Sequence, residues 1–569
     1  MEARGWRRPR RFAVAHRFRA PLQDLTHRTR QVLLLAAVTG AVTGVFVAGF
    51  ERLTADVLLA AVLDAPLAVQ VIAPAVGLVV AFWCLRLAGR TTTPSTADEY
   101  IRSFHDRSHR LDLRPVPARI LAAIATLGAG GPLGYEGPSL YGGAAIGSWI
   151  QRRRPKAFAA EDAKVLLVAG AAAGVAAIFK APVTGLVFAL EVPYQEDLAR
   201  RMLLPAAISA AASYVTFAAI AGTEPILPIA GQPPFDLRDL GGAAVVGLVA
   251  GCLARVFLAL IRHAKTFVTR TRPAVRVGAG GALLAATVLA AHAIDDSNLA
   301  LGPGYDALRW AMDPDRALMA IVALGTLRAV GAAAVVGGGG TGGLFIPLVI
   351  QGAFVGRAVG GLFGADETTL FPVVGMAAFL GAGYRVPLAA VVFVAEATGR
   401  PGFVVPGLIA AVVAQLVMGR ASISPYQVAG RVGHLEGRLQ MPLRTVVDTD
   451  ARTVPPDATV EELFWQHLVA SRQQSVAVVD EATYLGVAST EAVRGLDRDA
   501  WASTRVAEIM RTDLPVASPD WLLRDAVAAM EQHDTDRLAV CDGGGYVGVI
   551  TANDLVELDE VIGITSPEP

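Results

Sequence analysis

The sequence predicts an all-α polytopic membrane protein, built from broken helices in inverted repeats and followed by a soluble α/β tandem module. Three observations carry that expectation. Of 569 residues, 53% are hydrophobic and only 18% are charged, too apolar a balance for one soluble protein of this size. The apolar residues gather into segments that recur from about Gln31 to about Gly433, and one stretch of that region repeats another. Beyond Gly433 the texture becomes that of ordinary soluble sequence, with short strands alternating with helices.

The first thirty residues hold nine Arg against Glu2 and Asp24. They lack the apolar core and small-residue cleavage site of a secretory signal. Directly before an apolar run they read as a cytoplasmic flank under the positive-inside rule. Nucleic-acid binding is the rival reading of an Arg-rich arm; the expectation here is no nucleic acid.

Apolar segments follow near 31–62, 67–88, 118–130, 139–150, 164–178, 183–192, 202–221, 241–262, 276–294, 316–336, 344–363, 371–384, 387–397, 402–419 and 423–433. A full span needs about 20 residues, and several of these segments are clearly shorter. Such pieces are tolerated at membrane depth only when buried in protein or lining a wet cavity. Broken helices whose N-termini face an anion near the midplane are a device of transporters and channels.

The internal repeat pairs Ala181-Pro182-Val183-Thr184-Gly185-Leu186-Val187-Phe188-Ala189-Leu190-Glu191 with Val386-Pro387-Leu388-Ala389-Ala390-Val391-Val392-Phe393-Val394-Ala395-Glu396. Upstream, Gly134-Tyr135-Glu136-Gly137-Pro138 has a looser counterpart in Gly343-Leu344-Phe345-Ile346-Pro347. Two halves that repeat an apolar pattern imply a pseudo-twofold architecture with the site between them.

Glu136 is the residue around which the chain is organised. An ionisable group at membrane depth costs about 2.5–3.5 kcal/mol on insertion scales, so it marks a functional site. The flanking glycines let backbone N–H groups come close to a ligand, and Pro138 suits the first turn of a helix. The five residues read as a helix N-terminus offering N–H donors to an anion, with Glu136 as a tethered anion competing for the place. A tight glycine turn with its Glu in water is the alternative.

In the C-terminal region, Val476–Asp480 and Tyr484–Ser489 recur as Leu538–Asp542 and Tyr546–Thr551, each pair preceded by an amphipathic helix near 459–471 or 522–533. Elsewhere, Cys84, Cys252 and Cys541 are too few and too scattered for a disulfide framework or metal site. The glycine run 337–343 is followed by no Lys-Ser/Thr of a phosphate loop. His105 and His109 have the spacing of a zinc helix, which leaves a membrane zinc metalloprotease as a rival from another class.

On these residues the chain resembles the CLC family of chloride channels and proton/chloride antiporters over about 31–435, and a pair of CBS domains over 438–562 (about 438–498 and 503–562). Gly134–Pro138 resembles the family's G-[KR]-E-G-P and Gly343–Pro347 its G-x-F-x-P. The resemblance implies that Glu136 gates the pathway. It implies that backbone groups at Tyr135, Glu136, Gly137, Leu344, Phe345 and Ile346 face the anion, and that the Tyr426 hydroxyl donates to it. Arg119 falls where many members carry a basic residue near the pore; snorkelling to the interface is the other reading. The family's G-S-G-I-P is absent, and an ungapped count from Glu136 places Ser95 at its anion-contacting serine. At the antiporters' inner proton-accepting glutamate, directly after the position of Glu191, stands Val192, which carries no proton and is what the family's channels have.

The resulting expectation is a passive, Glu136-gated chloride channel, with a proton-coupled chloride antiporter as the alternative. The resemblance further implies a homodimer in the lipid of a bacterial cell membrane, with both termini cytoplasmic. No cofactor is required, chloride is the permeant ion, and the protein is not an enzyme. In the CBS pair, Thr551 and Asp554 match contacts to an adenine nucleotide, whereas the first copy has Ala492 where an acid would sit.

Overall fold

The computed structural model describes residues 13–89, 92–106, 111–158, 164–227, 236–362, 369–430, 441–470, 473–533, 535–552 and 554, with side chains from Arg30 onward. The side chains of the Arg-rich arm, His109 and the end of the second soluble repeat lie outside them. The chain divides into two compact units, Met1–Gly430 and Arg431–Glu568.

The first unit is helical. Among the described residues, eight helices are long and apolar enough to cross a membrane, from Arg30–Leu63 to Pro401–Met418. Their outward faces carry large apolar side chains such as Val45, Trp83, Val215 and Leu416, which suits a lipid solvent. Inside them lie shorter helices that could not span alone. Seven helices build the site: α1 (Ala97–His105), α2 (Glu136–Arg153), α3 (Val165–Ile178), α4 (Pro182–Glu191), α5 (Phe345–Leu362), α6 (Leu370–Tyr384) and α7 (Pro387–Thr398). Every residue of α3 and of α6 is buried, which is how such short helices survive at membrane depth.

The repeat seen in the sequence is a repeat of packing. A Cβ added at Gly143 of α2 would stand 2.1 Å from the Gly170 carbonyl oxygen of α3, and one at Gly170 2.0 Å from the Gly143 oxygen. In the second half, Gly352 of α5 and Gly375 of α6 meet in the same way, at 2.2 and 2.1 Å. With no hydrophobic drive between helices in lipid, close backbone packing of this kind holds them together. Each pair is then followed by a residue in left-handed backbone, Lys180 (φ 49°) or Arg385 (φ 57°). A proline-initiated helix comes next, α4 or α7, with Pro at the position that needs no N–H.

Three elements differ from the expectation. The segment near 241–262 belongs to one continuous helix, Leu237–Arg270, because the charged residues after Ile261 extend the helical turn without interrupting it. The segment near 423–433 is not helical over its described part, 423–430. Pro425 interrupts it, and buried Gln427 ties it instead to the carbonyls of Val192 (2.8 Å) and Tyr384 (2.7 Å). Helix α1 escaped an apolar search because it is amphipathic, burying Tyr100, Ile101 and Phe104 while Arg102 stays exposed.

The second unit contains a five-stranded sheet. Its strands are β1 (Thr453–Val454), β2 (Ser475–Asp480), β3 (Thr483–Ser489), β4 (Arg537–Asp542) and β5 (Gly545–Thr551), in the order β1-β2-β3-β5-β4. The hairpins β2/β3 and β4/β5 repeat each other down to a register shift at the same place, after Val478 and after Val540. Each hairpin packs on its own core, one around Val476, Val478 and Leu463 and the other around Leu538, Val540 and Leu523.

Candidate functional site: a buried carboxylate between two helix N-termini

The two halves meet at Gly134 and Gly343. Each donates its N–H to the other's carbonyl, at 2.9 and 2.8 Å, an antiparallel bridge that sets the N-termini of α2 and α5 against each other. An added Cβ at either place would fall 1.8–1.9 Å from the Glu136 carboxylate oxygens, so a larger residue at either glycine would displace the carboxylate. Helix Leu318–Gly338 delivers the second strand of this bridge. It stops because Gly339 takes a left-handed conformation (φ 85°) and caps back on Val336 and Val335.

Glu136 opens α2, yet its carboxylate serves the other half. Oε1 accepts the Phe345 N–H, the first of α5, at 2.7 Å. The N–H groups of Ile346 and of Glu136 itself also face the carboxylate. The side chain is 3% exposed, and Oε2 has no hydrogen-bond partner. Among the described residues no Lys, Arg or His is paired with it. The carboxylate is held by helix-end N–H groups and the dipoles behind them, a cradle that suits any small anion and from which one can leave.

The neighbouring candidates divide. Phe345 and Ile346 come to the carboxylate, while the Leu344 N–H faces the Tyr384 hydroxyl. Gly137 lies underneath, where a Cβ would stand 2.6 Å from Thr96 Oγ1 and 2.9 Å from the Gly343 Cα. Tyr135 precedes α2 with its ring edge-on to Phe50, centroids 6.3 Å apart, and its buried hydroxyl has no partner.

Two positions are shifted from the sequence expectation. Ser95 is half-buried, and it is the next residue, Thr96, that sits at the N-terminus of α1 against Gly137. The Thr96 hydroxyl does not cap its helix; it is buried and without a partner. Tyr426 is 45% exposed and its N–H reaches Ser424 Oγ at 3.4 Å, so its ring is not packed in the core beside Glu136. Tyr384, by contrast, is buried, with its hydroxyl at the Leu344 N–H. Extending the sequence repeat two residues upstream of Ala181 and Val386 would have pointed to it.

Arg119 neither lines the cradle nor snorkels. It is buried, paired with Glu99 at 3.1 Å, and donates to the Tyr141 hydroxyl (2.6 Å) and the Thr93 carbonyl (3.0 Å). It thereby fastens the segment carrying Thr96 to the side of α2. On the same α1, Asp98 is paired with Lys265 at 2.6 Å.

Glu191, at the proton-path position, is buried, and its carboxylate accepts the Leu388 and Ala389 N–H groups at 3.2 and 2.8 Å. Val192 beside it is buried, with its carbonyl held by Gln427. His105, half of the zinc-like pair, engages the Pro193 carbonyl through Nε2 at 2.7 Å. In the soluble unit, Thr551 and Asp554 cap each other: the Thr551 N–H donates to Asp554 Oδ2 at 2.7 Å, and the Asp554 N–H to Thr551 Oγ1 at 3.2 Å. In the first repeat Ser489 receives the Ala492 N–H at 3.3 Å, with no acid to complete the pair. Burial pulls the Arg537 guanidinium below its ordinary value, with Asp536 opposing that shift.

Comparison with known proteins places this geometry. The sequence profile described as Voltage gated chloride channel matches residues 76–419, and that of the CBS domain matches 506–560. An H(+)/Cl(-) exchange transporter ClcA of Salmonella typhi is 27% identical over 332 residues, covering 54% of this chain and 67% of its own. The crystal structure of a slow cyanobacterial Cl-/H+ antiporter superposes with a TM-score of 0.61 at 22% identity, over 68% of this chain and 94% of that one. That of a eukaryotic CLC transporter superposes with a TM-score of 0.58 at 19% identity, over 92% and 98%. These two likenesses are likenesses of fold.

Proposed function

The chain belongs to the voltage gated chloride channel family of anion-transporting membrane proteins, which are not enzymes, and from that membership we propose that it exchanges chloride for protons, with Glu136 as the gate. One observation carries the reading: a buried carboxylate occupies the N–H cradle at Phe345 with its second oxygen unpartnered. Charged, it fills the place of an anion. Protonated, it loses most of its attraction to the N–H donors and gives the place up. The same group is then both the gate and a proton carrier.

Val192 led the sequence reading to a passive channel. Coupled exchange is the better-supported reading, because relatives matched over more than half the chain are named H(+)/Cl(-) exchange transporters. Passive permeation remains the second reading, favoured by a specific feature. Glu191 is occupied as a helix cap and its neighbour is a valine, so neither of these two positions offers a free carboxylate.

The remaining expectations belong to the same proposal. The protein acts as a homodimer with both termini in the cytoplasm, and its CBS pair takes an adenine nucleotide at the second copy, where Thr551 and Asp554 both stand. The deciding experiment is chloride flux in proteoliposomes of purified protein with proton movement recorded at the same time. Uphill proton movement driven by a chloride gradient supports exchange, and chloride flux without it supports the channel. Absence of chloride flux in either mode rejects both.

A further inference from the structure

The two halves of the membrane unit correspond residue by residue around the site, and the correspondence breaks at one chemically telling position. Phe345 holds in α5 the place that Glu136 holds in α2, and Arg385 ends α6 as Lys180 ends α3. The residue before each of those endings is Phe179 in the first half and Tyr384 in the second. Phe179 lays its ring against Phe345, centroids 4.6 Å apart. Tyr384, at the matching position of the second half, lies within electrostatic reach of Glu136. Where the first half sets a phenyl ring against Phe345, the second sets a phenol in the neighbourhood of a carboxylate.

Tyr384 is held firmly in this place. Its ring meets Phe188 edge-on at 5.7 Å, and its carbonyl accepts from Gln427 Nε2 at 2.7 Å. The hydroxyl faces the Leu344 N–H and lies within electrostatic reach of Glu136 and of Asp98 in the first turn of α1. The Asp98 charge is answered by Lys265. A buried phenol oxygen that takes the Leu344 N–H keeps its own proton free to donate. Nearby, Glu136 Oε2 and Thr96 Oγ1 are both buried with no partner.

We infer that Tyr384 is the side-chain hydroxyl that grips the transported anion and sets its affinity, the role for which sequence position had pointed to Tyr426. This inference rests on the anion-transport reading of the Glu136 cradle. Once the carboxylate leaves, an entering anion meets the Phe345, Ile346 and Glu136 N–H groups together with the Tyr384 O–H. The phenol adds a charge-assisted hydrogen bond that the corresponding phenylalanine of the first half cannot supply.

The test is chloride titration by calorimetry of the purified full-length protein, comparing wild type, Tyr384→Phe, Tyr384→Leu and Tyr426→Phe, with proteoliposome chloride flux alongside. Losing one hydrogen bond to an ion weakens chloride binding by about tenfold or more in Tyr384→Phe. Tyr384→Leu, which lacks the hydroxyl in a different shape, shows the same loss and serves if the Phe variant does not fold. Wild-type affinity in both Tyr384 variants overturns the inference, as does a tenfold loss confined to Tyr426→Phe. A wild-type protein that neither binds nor moves chloride overturns the transport reading itself, a result distinct from either.

Discussion

Glu191 and Glu396 cap each other's helices. Glu191 ends α4 and receives the Leu388 and Ala389 N–H groups that open α7. Glu396, near the end of α7, receives the Val183 and Thr184 N–H groups that open α4, at 3.0 and 2.6 Å, together with the Thr184 hydroxyl at 2.7 Å. The exchange ties the two halves together and gives those four N–H groups partners within the protein. Replacing either glutamate by alanine is expected to cost about 1–3 kcal/mol through lost caps and unsatisfied donors. Thermal unfolding of the purified variants in detergent measures it, and an unchanged midpoint in both would deny the caps their role.

Protonation of Glu136 removes the charge that the Phe345 N–H holds. Anion flux therefore rises as external pH falls, and it falls again as the carboxylate is re-formed. Glu136→Gln carries no titrating group and is expected to give a flux that is flat with external pH. Flux recorded across a pH series on both proteins decides the point; a pH response of equal size in Glu136→Gln would place the titrating group elsewhere.

Gly143→Ala and Gly352→Ala push a methyl group into a facing carbonyl in equivalent places of the two halves. Each is expected to destabilise by about 1–3 kcal/mol or more, the cost of overpacking. Gly49 lies in a helix with nothing within 4 Å of an added Cβ, and Gly49→Ala is expected to gain up to about 1 kcal/mol from helix propensity. Thermal midpoints of the three variants should separate in that order.

Thr96→Val keeps the shape of the side chain and deletes its hydroxyl. Because Thr96 Oγ1 has no hydrogen-bond partner among the described residues, no hydrogen bond seen there is lost, and the thermal midpoint is expected to stay near wild type. Chloride affinity is expected to fall several-fold if the hydroxyl turns to the anion, about the value of one modest hydrogen bond. Ser95→Ala tested beside it should have the smaller effect; the reverse ranking would restore the ungapped reading.

Arg119→Met removes a buried cation and leaves Glu99 without its partner. Breaking a buried pair costs about 3–5 kcal/mol, and here it also frees the segment that presents Thr96. Lower thermal stability together with weaker chloride binding is the expected outcome, and Arg119→Lys should recover only part, since one ammonium cannot reproduce the fork to Glu99, Thr93 and Tyr141.

The class, the two-part organisation and the central carboxylate were legible in the order of residues alone. Apolar periodicity and charge scarcity are local properties of the chain, and Gly134–Pro138 and the Pro-to-Glu repeat are short enough to read without a fold. Only the tertiary structure decided which residues meet. Glu136 is bound by an N–H from the other half, Glu191 is spent on a helix of the other half, and Thr96 lies buried against Gly137 where Ser95 is half-buried. Tyr384 is buried while Tyr426 stays half-exposed, a difference that depends on how the chain folds around each. Contacts made across two halves of a chain depend on how the helices cross, and a sequence carries that only through the small residues at the crossings.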